Sequence, residues 1–234
     1  MVGNVCPVST GRHFPLAAPP RDQTGAMRAT TVAGLAFVAG AVPFSNLAAR
    51  RHAGVDLREV GTGTVSGTSL YDVAGFRVLA VAGVCDVAKG AVGPLLAGQE
   101  RPVLAAVAGG LAVAGHNWSP FLSGAGGRGL SPAIGALLPR AWPGAVIVLG
   151  GMVAGKFARQ TALGSFVAQS ALVPFLARTR GRDAALAGVC VVLPMFAKRI
   201  TGNTPSAERS LRAYAQRLLF DNDGVNERAL RERP

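Results

Sequence analysis

Long apolar blocks alternate with short polar segments along most of the chain. The six longest blocks are Thr31–Ala49, Val73–Ala97, Val103–Ala114, Pro143–Gly155, Leu163–Ala177 and Ala184–Ala197. A helix that crosses a bilayer needs about 20 residues, and several blocks reach this length only with their Gly, Ser and Thr flanks. Small residues dominate the blocks and allow close helix packing in lipid. The pattern predicts an all-α, polytopic membrane protein, and the alternative is a large soluble α/β domain with buried helices.

The polar segments divide the apolar blocks into about seven predicted membrane helices. A short stretch around Leu130–Leu138 supplies the fourth, and the fifth begins near Pro143. Basic residues in short loops favour the cytoplasmic side. Because the arginines and lysines of the loops divide evenly between the two sides, the arginine-rich tail decides the orientation. It favours a cytoplasmic C-terminus and cytoplasmic glycine-rich loops.

Three parts of the chain differ in composition. Residues 1–28 form a basic, Pro-rich leader without an apolar core, which we expect to be disordered and not a secretory signal. Residues 29–205 form the predicted membrane domain. Residues 206–234 form a charged tail, in which Ala207–Phe220 is a candidate amphipathic helix at the membrane surface.

The chain is strongly basic, with 24 Lys and Arg against 12 Asp and Glu and a net charge of +12. The cations flank apolar blocks and form no single stripe, so we expect lipid headgroups as partners and no nucleic acid. Cys6, Cys85 and Cys190 are far apart and lack the spacing of metal ligands. We therefore expect no metal and no cofactor.

Two glycine-rich segments, Gly54–Ser69 and Gly115–Gly129, carry the candidate chemistry. Backbone N–H groups in such segments can converge on an anion, and the guanidinium of Arg128 suits phosphate. The alternative is a pair of ordinary turns, of which the first caps the next helix. Since two predicted helices separate the segments, we expect both on the same side of the membrane.

Three polar side chains interrupt the apolar blocks near these segments. Asp86 and Lys89 are three residues apart, so they share a helix face and can pair. Charges inside a membrane are costly and mark either a site or an internal pair. His116 is a candidate acid or base near neutral pH, or a hydrogen-bonded residue between helices.

The order and spacing of these segments resemble the bacterial acyl-phosphate:glycerol-3-phosphate acyltransferase family, a group of small seven-helix membrane enzymes. The resemblance covers about Val32 to Gly202, most of the chain. The matching segments are Val42–Phe44, Gly54–Gly63, Asp86–Gly90, Gly115–Asn117, Gly126–Gly129 and Arg199–Gly202. The resemblance implies transfer of a fatty acyl group from acyl phosphate to the 1-hydroxyl of glycerol 3-phosphate, which yields lysophosphatidate for phospholipid synthesis.

The resemblance also implies site residues, partners and location. The implied catalytic residues are Arg58, Thr62 and His116. The implied substrate- and phosphate-binding residues are Gly61, Gly63, Thr64, Gly67, Thr68, Lys89, Asn117, Gly126, Gly127, Arg128 and Gly129. We expect a monomer in the inner membrane of a bacterium that binds acyl phosphate, glycerol 3-phosphate and membrane lipids.

The chain departs from the family pattern at several positions. Asp72 stands where the family has an arginine, Arg128 replaces a lysine, and Leu193–Phe196 occupies the place of a histidine and an asparagine. Arginine keeps a charged donor for phosphate. Asp72 places an acidic group where a cation is expected, and Leu193–Phe196 lacks the histidine and the asparagine. The alternative function is therefore a paralogue that binds lipid or phosphate in a regulatory or structural role. Internal inverted repeats would indicate a transporter, and the sequence shows none.

Overall fold

The structure of the protein is a computed structural model that describes residues 23–60, 63–203 and 210–220, with side chains from residue 28 onward. The α-helices of these ranges are α1 (Gln23–Ala41), α2 (Phe44–Ala53), α3 (Gly67–Ala97), α4 (Pro102–Asn117), α5 (Leu130–Phe157), α6 (Thr161–Arg180), α7 (Arg182–Thr201) and α8 (Leu211–Phe220). Two 3-10 turns, Leu57–Glu59 and Pro120–Leu122, lie between helices. The all-α prediction is confirmed.

The first helix begins earlier than the predicted boundary between the leader and the membrane domain. α1 begins at Gln23, so residues 23–28 belong to the first helix and not to the leader. Ala26, Met27 and Arg28 are good helix formers, which extends the apolar helix toward the N-terminus. The rest of the leader, residues 1–22, lies outside the described residues. α8 falls inside the predicted amphipathic segment of the tail.

Four stretches of the described residues are long and apolar enough to cross a membrane, and α4 and α6 pack among them. The four are Arg28–Ala53, Gly67–Ala97, Leu130–Phe157 and Arg182–Thr201. The first of these joins α1 and α2 across a break at Val42-Pro43. Large apolar side chains such as Val81 and Val84, which are 68% and 69% exposed, cover the outer surface of the bundle. Such a surface suits contact with lipid.

α5 reverses its direction at Ala141, whose φ of −136° and ψ of 42° are not helical. Just before this point, Arg140 donates to the carbonyl oxygen of Gln99 at 2.8 Å, beyond the C-terminal end of α3. Well after it, the ammonium of Lys156 lies 5.1 Å from the ring centroid of Tyr71, near the N-terminal end of α3. The second arm of α5 therefore runs back along the bundle, antiparallel to the first.

This reversal explains how the fourth and fifth predicted helices fit the structure. They are the two arms of α5, and no loop separates them. Pro139 and Pro143 flank the turn, and proline removes backbone hydrogen bonds that would continue a straight helix. We call the end of the bundle that carries residues 54–66 and 118–129 the loop end, and the opposite end, near Gly98 and Gly181, the far end.

The helices approach each other closely where glycines meet backbone. The carbonyl oxygen of Pro132 in α5 lies where a side chain on Gly90 of α3 would be, and Val87 of α3 occupies the corresponding place beside Gly135. Gly40 in α1 faces the backbone of Ala112 in the same way. Small residues therefore set the contacts between the crossing helices, and this packing brings the polar residues of α2, α3 and α4 together at the loop end.

Candidate active site

The two glycine-rich segments meet at the loop end. The backbone N–H of Val65 donates to the carbonyl oxygen of Gly126 at 3.3 Å. Asn203, just after α7, joins both segments, because its amide nitrogen donates to the carbonyl oxygens of Gly63 at 3.3 Å and of Gly126 at 2.9 Å. The two segments thus lie at the same end of the helical bundle, and their position on one side of the membrane stays a prediction.

A buried ion pair lies beneath this junction. Lys89 Nζ is 2.7 Å from Asp86 Oδ1, and the two side chains are 3% and 5% exposed. Ser45 Oγ donates to Asp86 Oδ2 at 2.7 Å, and Lys89 Nζ donates to the carbonyl oxygen of Val42 at 2.6 Å. The break before α2 leaves this carbonyl outside the helical hydrogen bonds, so Lys89 can reach it. The predicted pairing of Asp86 with Lys89 is confirmed.

The hydrogen bonds of this pair matter for its chemistry. Burying two charges is costly unless additional hydrogen bonds satisfy them, and Ser45 and Val42 supply such bonds. The ammonium of Lys89 therefore lies between the carboxylate of Asp86 and the carbonyl oxygen of Val42.

His116 completes the cluster from α4. Its Nδ1 atom lies 4.0 Å from Asp86 Oδ1, and the imidazole is 11% exposed. Gly127 packs directly against this ring: a side chain at position 127 would collide with the imidazole and would come within 2.8 Å of the Val65 carbonyl oxygen. Glycine at this position therefore lets the loop close over the imidazole.

A small cavity joins these groups. Its volume is about 10 Å³, which is room for about one water molecule. Its lining consists of Ala41, Pro43, Ser45, Val65, Asp86, Lys89, His116, Ser119, Leu122, Gly126 and Gly127. A molecule larger than water fits at this place only if the covering loop moves.

Two buried cations, one in the second segment and one in α7, lie close to the glycine loop. Arg128 is 7% exposed and donates to the carbonyl oxygen of Lys198 at 3.1 Å. Lys198, in the last turn of α7, is 1% exposed, donates to the carbonyl oxygen of Gly124 at 3.4 Å and lies 5.4 Å from the ring centroid of Trp118. Sequence reasoning assigned Lys198 only to the end of a membrane helix and missed its place on the loop.

The backbone amides of the second segment do not form the expected anion nest. The N–H of Gly126 donates to Asn203 Oδ1 at 3.2 Å, and the N–H of Gly127 donates to the carbonyl oxygen of His116 at 3.3 Å. The loop uses these donors to hold itself against α4 and the end of α7. Its capacity to attract an anion therefore comes from side-chain cations.

Asn117 and Gly129 fix the position of the loop at the end of α4. Asn117 is fully buried and its amide nitrogen donates to the carbonyl oxygen of Pro194 at 2.8 Å, which ties α4 to α7. Gly129 has φ of 76° and lies directly against the Asn117 side chain. Ser119, which sequence reasoning missed, donates to the carbonyl oxygen of Ala41 at 2.6 Å and anchors the loop to α1.

The first segment divides into an ion cluster and a helix cap. Arg58 donates to Asp56 through Nε and one terminal nitrogen, and its other terminal nitrogen is 3.5 Å from the carbonyl oxygen of Leu122. Arg50 also pairs with Asp56. The hydrogen bonds from Arg58 hold the pKa of Asp56 well below its usual range, and the same contact raises the pKa of Arg58. Arg58 thus lies at the edge of the site and outside the cavity lining.

The remaining predicted residues of this segment lie near the N-terminus of α3. Ser66 caps the helix by accepting from the N–H of Ser69 at 3.1 Å, and Ser69 Oγ donates to the carbonyl oxygen of buried Thr64 at 3.1 Å. Gly67 and exposed Thr68 form the first turn. The cap interpretation therefore describes residues 66–69, while Gly61 and Thr62 lie outside the described residues.

The fold and site define an integral membrane protein with a buried lysine–aspartate pair, a histidine and a glycine-rich loop at one end of its helical bundle. The family model described as glycerol-3-phosphate acyltransferase matches residues 30–203. The chain belongs to this family.

Several relatives extend the comparison. The glycerol-3-phosphate acyltransferase of Jannaschia sp. is 32% identical over 190 residues, which are 79% of this chain and 91% of that protein. Glycerol-3-phosphate acyltransferase 5 of Dehalococcoides mccartyi is 37% identical over 142 residues, and the match spans 60% of each chain. A second protein of that species, glycerol-3-phosphate acyltransferase 4, is also matched over 60% of its length.

A solved structure shares the fold. The crystal structure of PlsY, an integral membrane glycerol 3-phosphate acyltransferase in its glycerol 3-phosphate form, superimposes with a TM-score of 0.66 and 22% identity. The alignment covers 73% of this chain and 88% of PlsY. The helical architecture described above is therefore that of PlsY.

Proposed function

We propose that this protein transfers a fatty acyl group from acyl phosphate to glycerol 3-phosphate and releases lysophosphatidate and inorganic phosphate. The observation that carries the proposal is the buried ion pair of Lys89 and Asp86, next to His116 and beneath the Gly126-Gly127 loop, in a chain of the glycerol-3-phosphate acyltransferase family. The relatives described above bear the name of this enzyme, so the alternative of a paralogue without the reaction is not favoured.

The reaction needs one new bond and one broken bond. The 1-hydroxyl oxygen of glycerol 3-phosphate attacks the acyl carbonyl carbon, and the bond from this carbon to the phosphate oxygen breaks, so phosphate leaves with the electron pair. The hydroxyl proton passes to the imidazole of His116, which acts as a general base. General base catalysis typically increases a reaction rate by about 10²–10⁴-fold. Acyl phosphate is already activated, so correct placement supplies much of the remaining acceleration.

The cations of the site attract the phosphates of the two substrates. Lys89 supplies a buried ammonium from α3, and Arg128 supplies a planar donor from the loop. Charge stabilisation of this kind is strongest where water is excluded, as it is around these two buried residues. Asn117, Gly126, Gly127 and Gly129 hold the loop in place. Within the first segment, Gly63 and Thr64 lie at the junction of the loops, and Arg58 steadies it through Leu122.

We also propose that the protein crosses the membrane of a bacterial cell seven times, as a monomer, with the loop end in the cytoplasm. The reversal of α5 at Ala141 supports two crossings by the arms of this helix. The loop end also carries Arg50 and Arg51 at the end of α2, which favours the cytoplasmic side. Cysteine labelling from each side of the membrane tests this topology, and labelling of Gly54→Cys and Ser123→Cys from opposite sides would contradict it.

Acyl transfer is tested with the purified protein in detergent, long-chain acyl phosphate and radiolabelled glycerol 3-phosphate. We expect labelled lysophosphatidate from the wild-type protein and a loss of at least about 100-fold in kcat for His116→Ala. The matched control is Arg159→Gln, because Arg159 lies in the exposed turn before α6 and outside the cavity lining. A folded wild-type protein that binds glycerol 3-phosphate but forms no product would support the paralogue instead.

A further inference from the structure

A second and much larger cavity lies on the outer surface of the bundle, between α2 and α3. Its volume is about 450 Å³, within the range of small-molecule and lipid sites. The residues that line it are Phe44, Leu47, Ala48, Arg51, His52, Arg77, Val78, Val81, Ala82 and Cys85. We call this cavity the α2–α3 groove.

The polar and apolar residues of the groove are separated along its length. Arg51 and His52 end α2, and Arg77 follows Gly75, where α3 breaks with φ of 76°. These three residues lie toward the loop end. Phe44 begins α2 and Cys85 adjoins Asp86 in the middle of α3, so the deeper part of the groove is apolar. A basic mouth that continues into an apolar channel matches the two ends of a phospholipid.

The basic residues of the mouth differ from their neighbour Arg50. Arg50 pairs with Asp56 on the inner side of α2, whereas Arg51, His52 and Arg77 make no ion pair among the residues that the structure describes. They are exposed at the mouth of the groove. Burying them against lipid without an anion would be unfavourable, so charge complementarity points to an anionic headgroup.

We propose that the α2–α3 groove binds an anionic phospholipid of the surrounding bilayer, with its phosphate between Arg51, His52 and Arg77 and one acyl chain along Val78 and Val81 toward Phe44. Basic pockets between membrane helices on the cytoplasmic side commonly bind anionic headgroups. The groove adjoins the small cavity of the proposed acyl-transfer site, but the two cavities share no lining residue.

α2 gives the lipid a physical connection to the acyl-transfer site. Phe44 lines the groove, and its ring centroid is 5.7 Å from Lys89 Nζ. The next residue, Ser45, donates to Asp86 Oδ2 at 2.7 Å. A bound lipid stabilises the position of this short helix, so we expect it to raise the melting temperature of the purified protein.

The test compares lipid retention by native mass spectrometry. The purified full-length protein is incubated in detergent with equal amounts of phosphatidylglycerol and phosphatidylcholine that carry the same acyl chains. We expect the wild type to retain phosphatidylglycerol preferentially, and the double variant Arg51→Gln/Arg77→Gln to lose roughly 10- to 30-fold of this preference, since each arginine near an anionic headgroup contributes about a factor of five. Arg159→Gln, the matched control at the same end of the bundle, should bind as the wild type does.

A second variant distinguishes lipid binding in the groove from a general attraction of anionic lipid to surface charge. Val81→Trp fills the apolar channel without removing a cation, so it should also lose phosphatidylglycerol. Both variants should keep the melting temperature that the wild type has without added lipid. Equal retention of the two lipids by the wild type, or full retention by Arg51→Gln/Arg77→Gln, would overturn the proposal. Preferential retention of lysophosphatidate over phosphatidylglycerol in a competition arm would overturn it as well, because the occupant would then be the product.

Discussion

Two clusters of acidic and basic side chains stand at the loop end and differ mainly in burial. In the first, Asp86 and Lys89 are 5% and 3% exposed. In the second, Asp56 is 6% exposed, but its partners Arg50 and Arg58 are 56% and 33% exposed. Water thus reaches the cations of the second cluster and hardly reaches the first.

The difference indicates which cluster serves chemistry and which serves structure. A buried pair surrounded by apolar helices is costly to maintain, and well-packed apolar residues would stabilise the bundle at least as well. The acyl transfer that we propose would account for such a pair beside the cavity and His116. The cluster around Asp56 contributes modestly to stability, as exposed pairs do, and it positions the chain between α2 and α3.

The largest expected effect comes from breaking the buried cluster. Asp86→Ala leaves Lys89 buried without its carboxylate, which should lower the free energy of unfolding by about 3–5 kcal/mol. The double replacement Asp86→Ala/Lys89→Ala should recover part of this loss, because no unpaired charge remains. Denaturant unfolding in detergent measures both. The pairing explanation fails if the single variant is as stable as the double variant.

The second expected effect concerns Arg128 in the loop. Arg128→Ala should weaken glycerol 3-phosphate binding by about 1.5–3 kcal/mol, as loss of a hydrogen bond to a charged group does, and Arg128→Lys should recover part of it because the charge returns without the planar fork. Isothermal titration with both variants measures this. Normal binding by well-folded Arg128→Ala would restrict this residue to holding the carbonyl of Lys198.

Local sequence spacing was enough to predict the pairing of Asp86 with Lys89. Asp86 and Lys89 lie one turn apart on the same helix, so their pairing needs no information about the fold. Ser45, Ser119 and Asn203 could not be predicted in this way, because their partners lie 41, 78 and 77 residues away along the chain. Their identity as ordinary hydroxyl and amide residues gives no signal until the helices are assembled.

For the glycines of the second segment and for α5, the local sequence pattern located the feature but did not give its structural cause. The glycines of the second segment were expected to direct backbone N–H groups at an anion. In the structure, Gly127 instead allows the loop to approach His116 closely, and its N–H donates to the carbonyl oxygen of His116. In α5, polar and proline residues around Arg140 correctly indicated two arms. The sequence could not show that the arms join directly, because that depends on how Ala141 packs within the bundle.

The third expected effect is a pH dependence of the folding stability that comes from the cluster of Asp56, Arg50 and Arg58. The lowered pKa of Asp56 means that its ionised form stabilises the folded state at pH values above the unfolded pKa of about 4, and that this contribution disappears as the pH falls through the lower folded value. The stability difference between wild type and Asp56→Asn should therefore be constant from about pH 5 to pH 8 and shrink below about pH 4. Thermal unfolding of both proteins across this range measures it. A difference that is the same at pH 3 and pH 7 would show that the charge of Asp56 does not stabilise the fold.

The smallest expected effect separates the two arginines of the exposed cluster. Arg50→Gln should lower the free energy of unfolding by only about 0.2–1 kcal/mol, because more than half of its side chain is in water, and turnover should stay unchanged. Arg58→Gln should have an effect of similar size on stability but should also raise the KM for glycerol 3-phosphate, since Arg58 reaches the carbonyl oxygen of Leu122 in the loop over the cavity. Unfolding curves and steady-state kinetics of the two variants measure the contrast. Equal kinetics would leave Arg58 with a purely structural role, and a kinetic defect in Arg50→Gln would extend the site to the surface of α2.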